Sequence, residues 1–541
     1  MEKLEEAESV DWRNIQNGWE IPTENYCDQP YIVQAEDGAW IVAVTTGIGD
    51  EGESGQHVVT MRSLDQGKTW IDPVDVEPAN GPEASYAVLL KAPSGRIFCF
   101  YNHNTDNLRQ VRANFPSGYW NRVDSQGHYV FRYSDDCGKS WSDPRTEIPI
   151  RETQIDRENP YGGQVRFFWN VGRPLTADGQ AYLTLHKIGQ FGANGGYEKS
   201  EGVLLHSPDL LTLENPAEAH WETLPDGEIG LRAPEGPIAE EQCVVQLSDG
   251  SLFCVYRTVA GSGAFAYSRD MGRSWTQPAF MRCPDGRRMK HPRAANFVWK
   301  LQNGNFLYWF HNQGGCGYDG RNPAWVSLGR EYDAPDGRWI AWSDPEILLY
   351  DPDGDVRISY PDLVECAGQY FVSQTQKTIA RVSQIPSSFI EGLCSPAAPR
   401  DGALMGEKFH SGETGFTLCI QLERNAGTVV LVENEAGVAV LRLTAQDDRV
   451  QLEIDDGECA TLAFASLPAQ GRHSVAVIAD AQAQILRFVV DGVQWDGGAR
   501  ARGWFRLRSK IPCGAVRKGQ ETLFFARPLY AWEAKCLFEQ L

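Results

Sequence analysis

Two stretches of this sequence carry side chains suited to moving a proton and attacking a carbon. In EEQCVVQLSDGSLFCVYR, Glu241 follows Glu240 and precedes the apolar run CVVQL. A carboxylate held at the end of a core strand beside a second acid has its pKa raised by burial and by the like charge. In RISYPDLVE, Tyr360 leads into another apolar run. A phenol next to such a carboxylate can pass it a proton and become a nucleophile, and tyrosine nucleophiles are a known exception among glycosidases. The opposing reading, two structural residues with satisfied hydrogen bonds, fits the same spacing. What separates the two is whether the fold brings the pair to one cavity.

The elements that would do so are written as a repeat. A short apolar run, a turn ending in Gly and a second apolar run recur as VQAEDGAWIVAV, LLKAPSGRIFCFY, PLTADGQAYLTLH, VVQLSDGSLFCVYR, WKLQNGNFLYWFH and LVECAGQYFVSQT, with turn glycines Gly38, Gly95, Gly179, Gly250, Gly304 and Gly368. Asp-Gly and Asn-Gly supply the positive φ that tight hairpin turns demand, and the β-branched and aromatic flanks favour strands. Successive glycines lie 57, 84, 71, 54 and 64 residues apart, which leaves room for two more strands per unit. The pattern predicts an all-β fold, a six-bladed β-propeller of four-stranded blades. In a propeller the first strand of each blade lines the central channel, so residues entering it and residues leaving the second strand crowd around one mouth. Seven residues past each turn Gly stand Thr45, Asn102, His186, Arg257, His311 and Thr375, all polar. Eight to ten before it stand Asp28, Tyr86, Glu241, Asn296 and Tyr360, with Arg173 slightly closer in its own unit. A polar ring at the mouth of an apolar scaffold predicts a small-ligand site.

A second repeat, S-x-D-x-G-x-[ST]-W, recurs as SLDQGKTW, SDDCGKSW and SRDMGRSW, with a degenerate copy in DAPDGRWIAW. Its Asp can accept backbone N–H groups across a turn that its Gly permits, which predicts structural pins rather than acidic sites. Near residue 400, after IPSSFIEGLCSPAAPRDGA, the pattern changes to alternating runs such as FTLCIQL, TVVLVEN, VQLEI and ILRFVVDG. Two-residue alternation predicts an antiparallel β-sandwich of jelly-roll type. The expected division is therefore a propeller over residues 1–400 and a sandwich over 401–541.

Composition bounds the partners. The 541 residues carry a formal charge of −22, which opposes a nucleic-acid role or an anionic membrane surface, since both need clustered Lys and Arg. No stretch approaches the roughly 18 apolar residues of a membrane span. The acidic start MEKLEEAESVDW lacks an apolar leader core, which predicts an unexported, cytoplasmic chain. Thirteen cysteines without a CxxC pair read as reduced core residues. No His, Asp and Glu grouping has catalytic-metal spacing, so neither metal nor other cofactor is expected.

The three S-x-D-x-G-x-[ST]-W boxes, the six hairpins, EEQCVVQLSDGSLFCVYR and ISYPDLV together resemble the sialidase superfamily of Asp-box (BNR-repeat) propellers, over roughly Tyr26 to Val382. The resemblance implies that Glu241 activates Tyr360, and that Arg257 and Arg321 belong to a carboxylate-gripping set. Two positions depart from the family. Its first arginine falls on Asp28 of CDQP, and its acid falls on His57 of GQHVVTMRS. A carboxylate in place of an arginine reverses a charge at the site, so ordinary sialic acid is not the expected substrate. His57, with an ordinary pKa near 6.5, suits a general acid near neutrality. The acidic, Gly-rich loop GIGDEGESGQH before it suits a rim. Trp169 in FFWNVGRP offers an aromatic face to a sugar. His186, His311, Arg173 and the segment KHPRAAN around His291 complete the expected substrate contacts. HSVAVIADAQAQILRFVVDG resembles concanavalin A-like or laminin G-like sandwiches, which bind sugar or only pack.

Three readings follow. The leading one is an exo-acting glycoside hydrolase that removes a terminal acidic or atypical sugar from an oligosaccharide, with Glu241 and Tyr360 as the nucleophilic pair, His57 or Asp28 as acid, and Arg257 with Arg321 orienting an anion. A lyase acting on uronic acid sugars would use the same arginines to acidify the carbon beside the carboxylate. A non-catalytic carbohydrate-binding propeller would show the same losses at Asp28 and His57. A further expectation is that Asp28 lies near His57 and raises its pKa.

Overall fold

A computed structural model describes residues 10–114, 116–192, 197–469, 471–519 and 521–540. Six antiparallel sheets of four or five strands form the propeller and two larger sheets form the sandwich. The inner and second strands of the six blades are Tyr26–Gln34 with Trp40–Gly47, Ala84–Lys91 with Ile97–His103, Phe168–Trp169 with Gln180–Phe191, Glu240–Gln246 with Leu252–Arg257, Phe297–Lys300 with Phe306–Phe310, and Ser359–Cys366 with Gln369–Thr375. The six predicted turn glycines all have φ between +75° and +89°. A Cβ there would sit in the left-handed region that only Gly enters freely.

The sixth blade borrows its outermost strand from the other end of the propeller chain. Trp19–Ile21 pairs with Ala380–Ile385 in the register Trp19↔Val382. This closes the ring by completing the last blade with a strand that precedes the first. Blade contacts are apolar and aromatic, as where Trp40 of the first blade meets Phe371 of the sixth edge-on at 5.0 Å.

The three S-x-D-x-G-x-[ST]-W segments are turns pinned by their own side chains. In the first, Ser63 Oγ accepts the Gly67 N–H at 2.8 Å, and Asp65 Oδ1 accepts the Thr69 N–H at 2.9 Å. Ser134 with Asp136 and Ser268 with Asp270 repeat the arrangement. DAPDGRWIAW is not a fourth copy. Its Gly337 directly follows Asp336, one residue too early for the pin, and the segment closes a hairpin with Ala334 paired to Gly337.

Beyond the helix Ser387–Cys394, a seven-stranded and a six-stranded antiparallel sheet face each other over Leu418, Val430, Leu443, Leu452, Val477 and Phe488. Buried ion pairs tie the sandwich to the propeller: Arg487 to Glu346 at 2.8 Å and Asp480 to Arg13 at 2.6 Å. Such pairs add little net stability but cost several kcal/mol to break, which fixes how the two units dock.

Candidate active site

Four inner strands are broken at the same place. The ladder slips between Asp28 and Tyr31, Ser85 and Val88, Glu240 and Cys243, and Ser359 and Asp362. At each slip one non-glycine residue is left-handed: Gln29 (φ 49°), Tyr86 (59°), Glu241 (57°) and Tyr360 (46°). A left-handed side-chain residue costs roughly 1–2 kcal/mol. A bulge re-aims the side chain it carries, and strain of this kind gathers at functional sites. Three of these four residues, Tyr86, Glu241 and Tyr360, line one cavity of about 160 Å³.

At its floor Tyr360 Oη donates to Glu241 Oε1 at 2.9 Å. Arg257 Nη1 stands 2.7 Å from Glu241 Oε2, and its Nε donates to Glu240 Oε2 at 2.7 Å. Arg293 shares Glu240 from the far side at 2.8 Å. The two adjacent acids are thereby driven apart. Burial raises both, but Arg257 and Arg293 hold Glu240 down to about 2. Glu241 instead stays above the usual carboxylate range, because burial and the charge of Glu240 outweigh Arg257. Burial, with the charge of Glu241, also lifts the Tyr360 phenol, while Lys377 and Arg257 pull it back. The backbone N–H of Glu241 donates to His186 Nδ1 at 3.2 Å, and Trp169 Nε1 donates to Glu241 Oε1 at 3.4 Å.

The opposite wall is a chain of charges. Lys377 Nζ lies 2.6 Å from Asp28 Oδ2, 3.4 Å from Glu51 Oε2 and 4.3 Å from the centre of the Tyr360 ring. Arg122 bridges Glu51, Asp124 and the Tyr86 hydroxyl. Burial would raise Glu51, but Lys377, Arg122 and Arg321 outweigh it and keep the group ionised. Arg321, buried, donates to Ser359 Oγ at 3.0 Å and to the Tyr318 carbonyl at 2.9 Å. Among the described residues it has no carboxylate partner. Tyr197, Tyr318 and Arg357 complete the lining.

Of the residues expected at the site, Tyr360, Glu241, Arg257, Arg321 and Trp169 line the cavity, and Asp28 reaches it through Lys377. His186 sits behind Trp169, its ring edge-on at 3.8 Å, and burial lowers its pKa to about 3. Three residues are elsewhere. His57 begins the third strand of its blade, so its ring lies beyond the cavity wall, near Glu24 at 3.5 Å and Asp75 at 3.4 Å. His311 is enclosed, stacked on His291 at 5.6 Å, and burial holds it neutral. Arg173 follows a two-residue inner strand and points to the other end of the channel. There it donates to the Leu363 and Ile32 carbonyls and lines a second cavity with Trp299 and Val244. Asp28 and His57 therefore face different neighbours, and the expected coupling between them has no direct contact behind it.

Glu51, Arg122, Lys377, Tyr318, Tyr197 and Arg357 were not singled out from sequence. Glu51 lies in the acidic loop read as a rim, and Lys377 stands two residues past Thr375 of the polar ring, so both had a signal. Arg122 and Tyr318 come from loops without period or motif. Among the described residues no group of three or more His, Cys, Asp or Glu side chains is arranged to hold a metal ion.

No family model matches the chain, and no curated protein does. Similar solved structures include a mutant of Trypanosoma rangeli sialidase displaying trans-sialidase activity, at 14% identity and TM-score 0.45, covering 97% of this chain and 96% of that one. The NanB sialidase of Streptococcus pneumoniae matches at 14% identity and TM-score 0.47 over 68% of each chain. A protein of unknown function from Dyadobacter fermentans matches at 16% and 0.47, over 68% of this chain and 98% of its own.

Proposed function

We propose that this protein is an exo-acting glycoside hydrolase of sialidase type that removes one terminal, singly anionic sugar from an oligosaccharide. The observation that carries the reading is the Tyr360–Glu241 hydrogen bond of 2.9 Å in the cavity that both residues line. Tyr360 Oη attacks the anomeric carbon as its proton passes to Glu241 Oε1. The glycosidic C–O bond breaks and its electron pair leaves with the departing oxygen. Water then displaces the tyrosyl oxygen, which takes the proton back from Glu241, and the proton that the water gives up neutralises the departed oxygen. Two inversions at one carbon give net retention.

Charge sets the substrate class. Arg122, Arg257, Arg321, Arg357 and Lys377 line the cavity with Glu51 and Glu241, and Asp28, Asp124 and Glu240 lie directly behind. Five cations against five carboxylates leave the site near neutral without ligand. Arg321 is a buried lining cation with no carboxylate partner among the described residues, and a guanidinium there suits one carboxylate. Trp169 and Tyr86, stacked on each other at 5.6 Å, give the cavity an aromatic wall against which a sugar ring can pack. Glu51 is held ionised and His57 lies outside the lining, which leaves Asp28, lifted by burial against the pull of Lys377, as the remaining acid for the departing oxygen. Aglycones that leave as stable anions should need it least.

The test is hydrolysis of nitrophenyl glycosides of neutral and acidic sugars, followed for the stereochemistry of release. Retained configuration with an acidic sugar, lost in Tyr360→Phe, supports the reading. Absence of turnover across the panel, or full activity in Tyr360→Phe, rejects it.

A further inference from the structure

We infer that the sandwich completes the active site, because its 497–503 loop holds in place the wall that carries Tyr318 and Arg321. This rests on the hydrolase reading for its functional consequence, but its structural half stands alone. The wall is the segment 312–321, a loop following the second strand of the fifth blade, and it owes much of its order to the other unit. Gly314 N–H donates to the Ala501 carbonyl at 2.7 Å, and Gly503 N–H donates to the Asn312 carbonyl at 3.2 Å. Gln313 and Arg502 form a bridge between the backbones, and Arg502 Nε donates to Gln313 Oε1 at 3.2 Å. Lys290 reaches across to the Gly498 carbonyl at 2.7 Å.

Two details show that the fit is close. Gly503 is buried, and a Cβ on it would lie 2.4 Å from Asn312 Oδ1. The atoms it would meet, Oδ1, Cγ and Nδ2, all belong to the buried Asn312 side chain, so that side chain must rotate away or the two loops must part. From this anchor the wall runs to the cavity. The Gly317 carbonyl accepts the Arg293 N–H at 2.9 Å, and the Tyr318 ring lies under Arg293 and Arg257 at 4.9 and 5.7 Å. The Tyr318 carbonyl then orients Arg321. The nucleophilic pair belongs to the fourth and sixth blades, and the loop's nearest bonds to it are at Ser359 and Ile358, which Arg321 holds just before Tyr360. The loop is thus a positioning element for the anion-binding wall.

The test compares the full-length protein with Gly503→Ala and with Ala499→Ser, an exposed neighbour outside these contacts. Amide hydrogen exchange is followed in 312–321, in the strand Glu240–Gln246 and in the strand Ser359–Cys366. The expected result is exchange in 312–321 at least tenfold faster in Gly503→Ala, with the two strands and Ala499→Ser unchanged. On the best acidic glycoside, KM should rise about tenfold in Gly503→Ala and kcat change little, since the pair that reacts is undisturbed. Unchanged exchange in 312–321 overturns the inference, as does faster exchange there with an unaltered KM. If the wild type turns over no glycoside, the hydrolase reading fails while the exchange result still decides whether the loop orders the wall.

Discussion

The six blades divide into two kinds at the cavity, and on the proposed reading the division separates chemistry from selection. The first, second, fourth and sixth have a bulged inner strand, and three of those bulges present Tyr86, Glu241 and Tyr360 directly to the cavity. The third has an inner strand broken between Trp169 and Leu175, where the register slips from Trp169↔His186 to Leu175↔Tyr182, and the fifth has a short inner strand, Phe297–Lys300, with a plain ladder. The third contributes an aromatic face, Trp169, and the fifth contributes a loop wall with Tyr318 and Arg321. Strained backbone inside a sheet is over-determined by its neighbours and places a side chain rigidly. Loops tolerate change and suit recognition.

The largest expected effect tests whether equal bulges have equal roles. Tyr86 and Tyr360 occupy the same position in two blades, yet only Tyr360 faces a cavity carboxylate. The Tyr86 hydroxyl is committed to Asp124 at 2.9 Å and to Arg122. Tyr360→Phe should lower kcat at least ~10³-fold, and Glu241→Gln comparably, within the range for lost proton-transfer groups. Tyr86→Phe should cost far less and act on KM. Similar losses at both tyrosines would mean that the bulge, and not the Glu241 contact, defines the catalytic residue.

The next effect is on stability. Glu240 lies at the bulge of the fourth blade, fully enclosed and shared by Arg257 and Arg293. Glu240→Gln leaves both cations without that charge and should cost about 3–5 kcal/mol in denaturant unfolding, as for other broken buried pairs. The pH sign follows from its folded pKa of about 2, below the unfolded carboxylate value near 4.3. The folded state then binds fewer protons, so this stability is complete above pH ~4.3 and is lost as pH falls toward 2. The variant should lose that part of the acid dependence, and an unchanged acid-unfolding curve would remove Glu240 from the account.

Glu241 supplies the smaller, kinetic counterpart. Burial raises its pKa, and it must be ionised to accept the proton of Tyr360, so the acid limb of kcat/KM should lie above the ordinary value near 4.3. His186, at about 3, is neutral throughout and contributes no limb.

The propeller was legible because its turns are chemical. Six glycines at hairpin spacing and three pinned boxes name the blades, and the alternation after residue 400 names the sandwich. Glu241 and Tyr360 were legible because they enter such strands. The bulges were not, since a one-residue slip leaves the apolar pattern on either side intact. Arg173 lies within the longer break of its own inner strand, between Trp169 and Leu175, and lines the cavity at the other end of the channel. The loop residues Arg122 and Tyr318 follow no period, and their positions are set by contacts remote in the chain.

The smallest expected effect concerns His57, which motif position alone would place beside the leaving oxygen. The third strand of its blade carries it behind the wall, where Glu24 and Asp75 are its charged neighbours. Asp28, in contrast, belongs to the cavity's charge chain through Lys377. Asp28→Asn should free Lys377 for the substrate anion and lower KM for acidic sugars, with little change for neutral ones. His57→Asn should move neither limb of the pH–rate profile, because the ring is not part of the cavity lining and its charged neighbours are Glu24 and Asp75. A profile whose basic limb disappears in His57→Asn would show that the histidine reaches the substrate after all, and would return the motif-based assignment of the acid.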